Sequence, residues 1–184
     1  MTELRRTVSI AILTTTVAWV SGAYSLAVHV SPTSGAEAKA CQLMPTSDLE
    51  TTYGGKVTNP HGVDGESSVC TANIGGIAVK LQSALPGTIG GPTSVQQALA
   101  GARMMLGAAK QSPGTETEDF GRIGCLSLKI TIGFDGKPLA KPLRTASCFL
   151  VEGGYLNMSV ASENPKQVRL DLVKGLLEKA AARR

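Results

Sequence analysis

Alternating apolar and polar positions between 124 and 161 predict a β-sheet at the centre of the fold. Apolar residues alternate with polar ones from Leu126 to Phe134, a period of two that is typical of a strand with one buried face. Two further apolar runs, 148–151 and 156–160, are joined around Gly153-Gly154 and predict a hairpin beside that strand. A turn at these two glycines would pair Val151 with Leu156 and place Cys125 and Cys148 on the polar side of the sheet.

An earlier pair of apolar runs predicts a second hairpin. Residues 69–73 and 77–81 flank Gly75-Gly76, which is a two-residue hairpin signal. With that turn Cys70 pairs with Leu81, and because paired residues share a face, Cys70 is expected to point into the core.

Helical periodicity appears three times. Ser47 with Glu50 three residues later fits a capping box, and the short helix that follows is expected to stop at Gly54-Gly55. A stripe of small apolar residues predicts a helix from Val95 to Ala109, and Asn164-Pro165 favours the start of a C-terminal helix.

These elements predict one α+β domain, an antiparallel sheet with helices packed on one face, in the order α-β-β-α-β-β-β-α. Residues 56–66 and 83–93 carry turn-forming and Gly/Pro-rich sequence and are expected to be loops. The acidic stretch that ends at Asp119 is expected to be a solvated loop as well.

The first 40 residues have the pattern of an export signal. Two arginines precede a run without charged residues from Thr7 to Ala36, with an apolar centre and several small-residue cleavage positions. The run is also long enough to span a bilayer uncleaved. We therefore expect 1–40 to be a signal peptide or a membrane anchor with a linker, and 41–184 to be the domain, secreted, periplasmic or anchored facing outside the cytoplasm.

The cysteines favour disulfides. There are four, with no C-x-x-C pair that would suggest a metal site. Of three possible pairings, Cys41–Cys70 and Cys125–Cys148 alone match the predicted faces, and two disulfides require an oxidising compartment.

Composition narrows the classes of partner. Removal of 1–40 leaves 15 basic and 12 acidic residues. This mild basic surplus looks scattered, with a local excess only near Arg183-Arg184. Because nucleic-acid binding requires a concentrated basic stripe, we do not expect a nucleic-acid partner. Only 4% of residues are aromatic, which leaves little to build a stacking platform.

The sequence contains few residues that suggest catalysis or ligand binding. His61 is the one histidine after residue 40, and its turn-like neighbours favour a solvated histidine over a catalytic base. Gly87, Gly90 and Gly91 precede a capped helix and could cradle a ligand, although the Lys-Ser/Thr pair of a phosphate loop is missing. No metal site, cofactor or catalytic residue is predicted; loops containing His61, Gly87, Gly90 and Gly91 are candidate binding loops.

The opening of the domain resembles a known family. The similarity lies in Cys41-x-Leu43, a helix bearing Asp48-Leu49, the end of that helix at Gly54, and the second cysteine in Ser68-Val69-Cys70. In these features the opening is similar to the small secreted domains of unknown function that are common among actinobacterial lipoproteins. The resemblance covers 41–81 and implies an antiparallel sheet backed by helices, like that of a plant photosystem accessory protein and a nuclear-transport cofactor. It implies no catalytic residues.

Together these observations predict an exported bacterial envelope protein that binds a protein or envelope component and is not an enzyme. The alternative is a small secreted hydrolase or redox enzyme that uses His61 or a labile disulfide. A third possibility, a carrier with an apolar cavity, is open at the level of sequence.

Overall fold

A computed structural model describes residues 38–86, 91–108, 116–119, 122–132 and 136–184. They belong to one compact unit that spans 35–184. The predicted signal or anchor, apart from residues 38–40, lies outside the described residues, as do Gly87 and Gly90.

The fold is α+β with the predicted order of elements. The helices are α1 (Lys39–Leu43), α2 (Thr46–Tyr53), α3 (Val95–Ala108) and α4 (Leu170–Ala182), the last preceded by a 3-10 turn (Pro165–Gln167). The strands are β1 (Val57–Val63), β2 (Ser67–Ile74), β3 (Ile77–Ala84), β4 (Glu116–Asp119), β5 (Ile123–Ile132), β6 (Pro138–Val151) and β7 (Tyr155–Ser162). They form one antiparallel sheet in the order β1-β2-β3-β7-β6-β5-β4.

Three of these elements were not predicted. The short helix α1 carries Cys41, and the strands β1 and β4 occupy segments that were expected to be loops, 56–66 and the acidic stretch before residue 120. The turn-like residues of β1 produce an irregularity in the strand, because the register shifts between Thr58 and His61 and Asn59 has a positive φ of 51°.

The main core lies between one face of the sheet and the helices α1, α2 and α4. Alternate residues of β2, β3 and β7 point into it, and α4 contributes an apolar stripe at helical spacing. The buried residues of that stripe are Leu170, Val173, Leu176, Leu177 and Ala180. For these three helices the predicted packing on one face is observed.

Helix α3 packs on the opposite face, over β5 and β6. Its residues Val95 and Leu99 form a second cluster with Leu126, Leu128 and Phe149. The helix approaches the sheet closely, since a Cβ added at Gly124 would lie 2.4 Å from Val95 Cγ1 and 2.7 Å from Leu99 Cδ1. Both faces of β5 are therefore buried from Ile123 to Leu128.

Both predicted disulfides are present, Cys41–Cys70 and Cys125–Cys148. The prediction that Cys125 and Cys148 lie on a polar face is wrong: both are fully buried in the main core, where Cys148 pairs with Met158. The connection between β6 and β7 has three residues, so Val151 pairs with Tyr155, one residue away from the predicted register.

Candidate functional site

The part of the second sheet face that the described residues of α3 do not cover is polar. Directly opposed residues on adjacent strands form a row across it: Thr71 on β2, Lys80 on β3, Ser159 on β7 and Ser147 on β6. A neighbouring row places Gln82 opposite Asn157. We call these six residues the polar face: Thr71, Lys80, Gln82, Ser147, Asn157 and Ser159.

Hydrogen bonds fix several side chains of the polar face. The hydroxyls of Ser147 and Ser159 lie 2.9 Å apart, and Ser159 Oγ donates to Asn157 Oδ1 at 3.1 Å. Asn157 Nδ2 in turn donates to the main-chain oxygen of Cys148 at 3.2 Å. Because each side chain is held by the next, the polar groups are positioned before a ligand arrives, which reduces the entropy lost on binding.

Lys80 supplies the charge of the polar face. The residue is half-buried, and this burial lowers the pKa of its ammonium group. A cation in such partly desolvated surroundings interacts more strongly with an anionic or carbonyl group than one in open water.

A cleft of about 260 Å³ opens beside the polar face, at the ends of β3 and β6 and the start of β7. Gly91 lies in its wall, so the candidate loop 83–93 does contribute to a concave site. The full lining is Ala84, Leu85, Pro86, Gly91, Pro92, Thr93, Val151, Gly154 and Tyr155. The ring of Tyr155 stacks near that of Phe149 with centroids 6.4 Å apart, and burial raises the pKa of Tyr155 to about 12.

The cleft and the polar face form one surface. Tyr155 pairs with Ala84, and two residues further along the same strands Asn157 pairs with Gln82. Residues two apart on a strand share a face and lie roughly 7 Å apart. The surface therefore has an apolar end with an aromatic ring and a polar middle, which is the usual composition of a binding site.

His61 lies at the exposed edge of the sheet, away from the serines. It sits on β1 opposite Thr71, whose hydroxyl donates to the main-chain oxygen of His61 at 3.3 Å. Three strand spacings separate His61 from Ser159, roughly 14 Å. A base must lie within hydrogen-bond reach of its nucleophile, so these described residues do not form a Ser-His pair.

Sequence reasoning missed the polar face because the error in the β6–β7 register placed Asn157 and Ser159 beside Cys148. The signal was present: Asn157 and Ser159 alternate with Leu156 and Met158, so they must share a face that is not the core.

The described residues show neither a metal site nor a membrane-spanning helix. Among the described side chains, no group of three or more His, Cys, Asp or Glu residues is arranged to hold a metal ion. No helix in the described ranges is both long and apolar enough to cross a bilayer. Comparison with models of protein families, with curated proteins and with solved structures found no match.

Proposed function

We propose that this protein is an exported, non-enzymatic binding module of a bacterial envelope. Its polar face and the adjoining cleft recognise a protein or another envelope component. The observation that carries the proposal is the Ser147–Ser159–Asn157 hydrogen-bond chain beside the Tyr155 cleft, in which both serines are half-buried and Asn157 is 6% exposed.

Export is supported by the disulfides and by the N-terminal sequence. Two bridges with buried cysteines indicate an oxidising, extracytoplasmic environment. The basic start and apolar run of 1–40, and the resemblance of 41–81 to small secreted domains, support secretion or a periplasmic location, with an uncleaved anchor as the alternative.

The enzymatic alternative receives less support from the geometry. His61 is exposed at the sheet edge and far from the hydroxyls of Ser147 and Ser159, and both disulfides are buried, which hinders attack by a dissolved thiol. If a His61→Ala variant keeps its thermal stability but no longer supports the function of the protein in the cell, the hydrolase hypothesis gains support.

Site-specific photo-crosslinking tests the binding surface. A photoreactive amino acid at Thr71, on the polar face, is expected to give a defined adduct in the native envelope. The same probe at Thr51, on the exposed surface of α2, serves as the matched control and should not give it. The adduct should also disappear when Asn157→Leu is added and the protein is still folded by circular dichroism. Identical products at both positions would contradict the proposal.

The intact mass of the exported protein tests the compartment. Reduction and alkylation should label four cysteines that are unreactive beforehand, and the same spectrum reports where the N-terminus begins and whether a lipid is attached. Four thiols that react without reduction would overturn the export proposal.

A further inference from the structure

The hairpin between β5 and β6 extends beyond the rest of the sheet. We call residues 129–132 and 136–144 the β5–β6 arm. On one side the pairing of β4 with β5 ends at Ser127, and on the other the pairing of β7 with β6 ends at Arg144. Within the described ranges the arm is therefore a two-stranded ribbon, joined by the Lys129–Arg144 and Ile132–Pro138 pairs. Such a ribbon gains little stability in water from its own contacts.

The arm is rich in basic residues. It contains four basic residues, Lys129, Lys137, Lys141 and Arg144, and no acidic one; Asp135, which lies between its two segments in the sequence, reduces the net charge of 129–144 to +3. The rest of 41–184 carries eleven basic and eleven acidic residues. Two stretches of the domain therefore carry a local excess of basic residues, 129–144 at +3 and 166–184 at +4.

The two C-terminal arginines are engaged within the domain. Arg183 pairs with Asp48 at 2.7 Å, and Arg184 Nη2 donates to the main-chain oxygen of Ala84 at 2.6 Å. On the arm, Lys141 pairs with Glu163 at 3.3 Å, and both side chains are more than half exposed. An exposed pair of this kind contributes little and competes weakly with a charged partner.

Apolar side chains accompany the charges. Leu139 is 37% exposed, and Ile130, Ile132 and Leu143 are half-buried although they belong to a ribbon with a single neighbour strand. Residues 138–142 are all exposed. Cations interleaved with aliphatic side chains suit the interface of a bilayer, where anionic headgroups and hydrocarbon lie within a few ångströms of each other.

We propose that the β5–β6 arm binds the surface of a membrane rich in anionic phospholipid. Charge complementarity selects an anionic partner, and the aliphatic side chains select a bilayer over a soluble anionic polymer, which would use the cations alone. The proposal concerns a surface different from the polar face and does not depend on the function proposed for that face. It adds a membrane contact to the one that an uncleaved N-terminus would make.

Vesicle co-sedimentation of the exported protein tests the proposal. Binding to phosphatidylglycerol-containing vesicles should exceed binding to pure phosphatidylcholine and should fall as salt is raised. Each cation near an anionic surface strengthens partitioning roughly fivefold. The triple variant Lys129→Gln, Lys137→Gln, Lys141→Gln should therefore bind about a hundredfold more weakly.

The matched control removes the same charge elsewhere. Lys56→Gln, Arg122→Gln and Lys166→Gln are exposed positions outside the arm, and this triple variant should lose much less binding. Equal losses in the two triple variants would overturn the proposal, since the net charge of the molecule would then be responsible.

A second variant separates a bilayer from a polymer. Leu139→Ser keeps every charge and is expected to weaken vesicle binding several-fold while it leaves binding to soluble polyphosphate unchanged. Wild-type protein that binds polyphosphate but not anionic vesicles would assign the arm to an anionic polymer and overturn the membrane proposal.

Discussion

Cys125 on β5 and Cys148 on β6 lie directly opposite each other, and their disulfide is fully buried beneath α4. The sulfur of Cys148 is 3.9 Å from the main-chain oxygen of Leu170, the first residue of that helix. The bridge thus links neighbouring strands at the point where α4 begins to cover the sheet, and it closes a loop from which the β5–β6 arm projects.

Removal of either bridge is expected to destabilise the domain by about 3 kcal/mol, because the loops closed span 23 and 29 residues. Urea unfolding of Cys125→Ala/Cys148→Ala and of Cys41→Ala/Cys70→Ala measures this. In the folded wild type both bridges should resist a mild thiol, and in urea both should be reduced quickly. Reduction at equal rates in the two states would contradict their burial.

Gly124→Ala is expected to destabilise the domain by about 1–3 kcal/mol, because the new methyl group would overlap Val95 and Leu99 of α3. The matched control is a glycine of α3 itself. A Cβ at Gly101 meets no atom of the described residues within 4 Å, so Gly101→Ala should stabilise α3 by about 1 kcal/mol. Thermal unfolding of both variants measures the two effects; a neutral Gly124→Ala would show that α3 does not pack on β5.

The two hairpins show how far the sequence determines the fold. At Gly75-Gly76 the turn has two residues, so the whole β2–β3 register, including Cys70 opposite Leu81, follows from the turn and is confirmed. At 152–154 the turn has three residues, whereas the sequence predicts a two-residue turn at Gly153-Gly154. The predicted β6–β7 register is therefore wrong by one residue. Since a one-residue slip exchanges the two faces, Cys148 was assigned to the polar side.

The location of α3 could not be predicted for a different reason. Its stripe of small residues indicates close packing against a sheet, but a stripe does not specify which face it covers. That choice depends on Gly124, whose missing side chain leaves room on one face of β5. The polar face depends on the same choice, because it is the area that α3 leaves uncovered.

Stability should fall between about pH 10 and pH 12 because two tyrosines are buried. Burial raises the pKa of both Tyr53 and Tyr155 from 10.0 to about 12, with Asp171 adding to the effect at Tyr53. A phenol in the unfolded chain loses its proton first, so stability is complete below about pH 10 and is lost as the pH rises through the folded-state pKa.

Thermal unfolding across this pH window measures the effect of the tyrosines, and phenolate absorbance gives the pKa values directly. The double variant Tyr53→Phe/Tyr155→Phe isolates their contribution from that of the lysines, and its stability should decline less steeply. Equal slopes in wild type and double variant would mean that the tyrosines titrate at their ordinary value.

Ser127→Ala should stabilise the domain, against the usual direction of a mutation in the core. Ser127 is 1% exposed, and its hydroxyl has no hydrogen-bond partner among the described residues. The buried polar group therefore costs free energy that alanine removes, about 1 kcal/mol. Urea unfolding of the variant measures the gain.

Ser162→Ala is the matched control. Ser162 is nearly as buried, but its hydroxyl accepts from the main-chain N–H of Asn164 at 3.1 Å and bonds Gln167 Oε1 at 2.9 Å. Alanine would leave these partners unsatisfied and should destabilise the domain by about 1–2 kcal/mol. The two Ser→Ala substitutions are expected to change the free energy of unfolding in opposite directions because only Ser162 has hydrogen-bond partners. Equal losses of stability in both variants would show that the Ser127 hydroxyl does find a partner in solution.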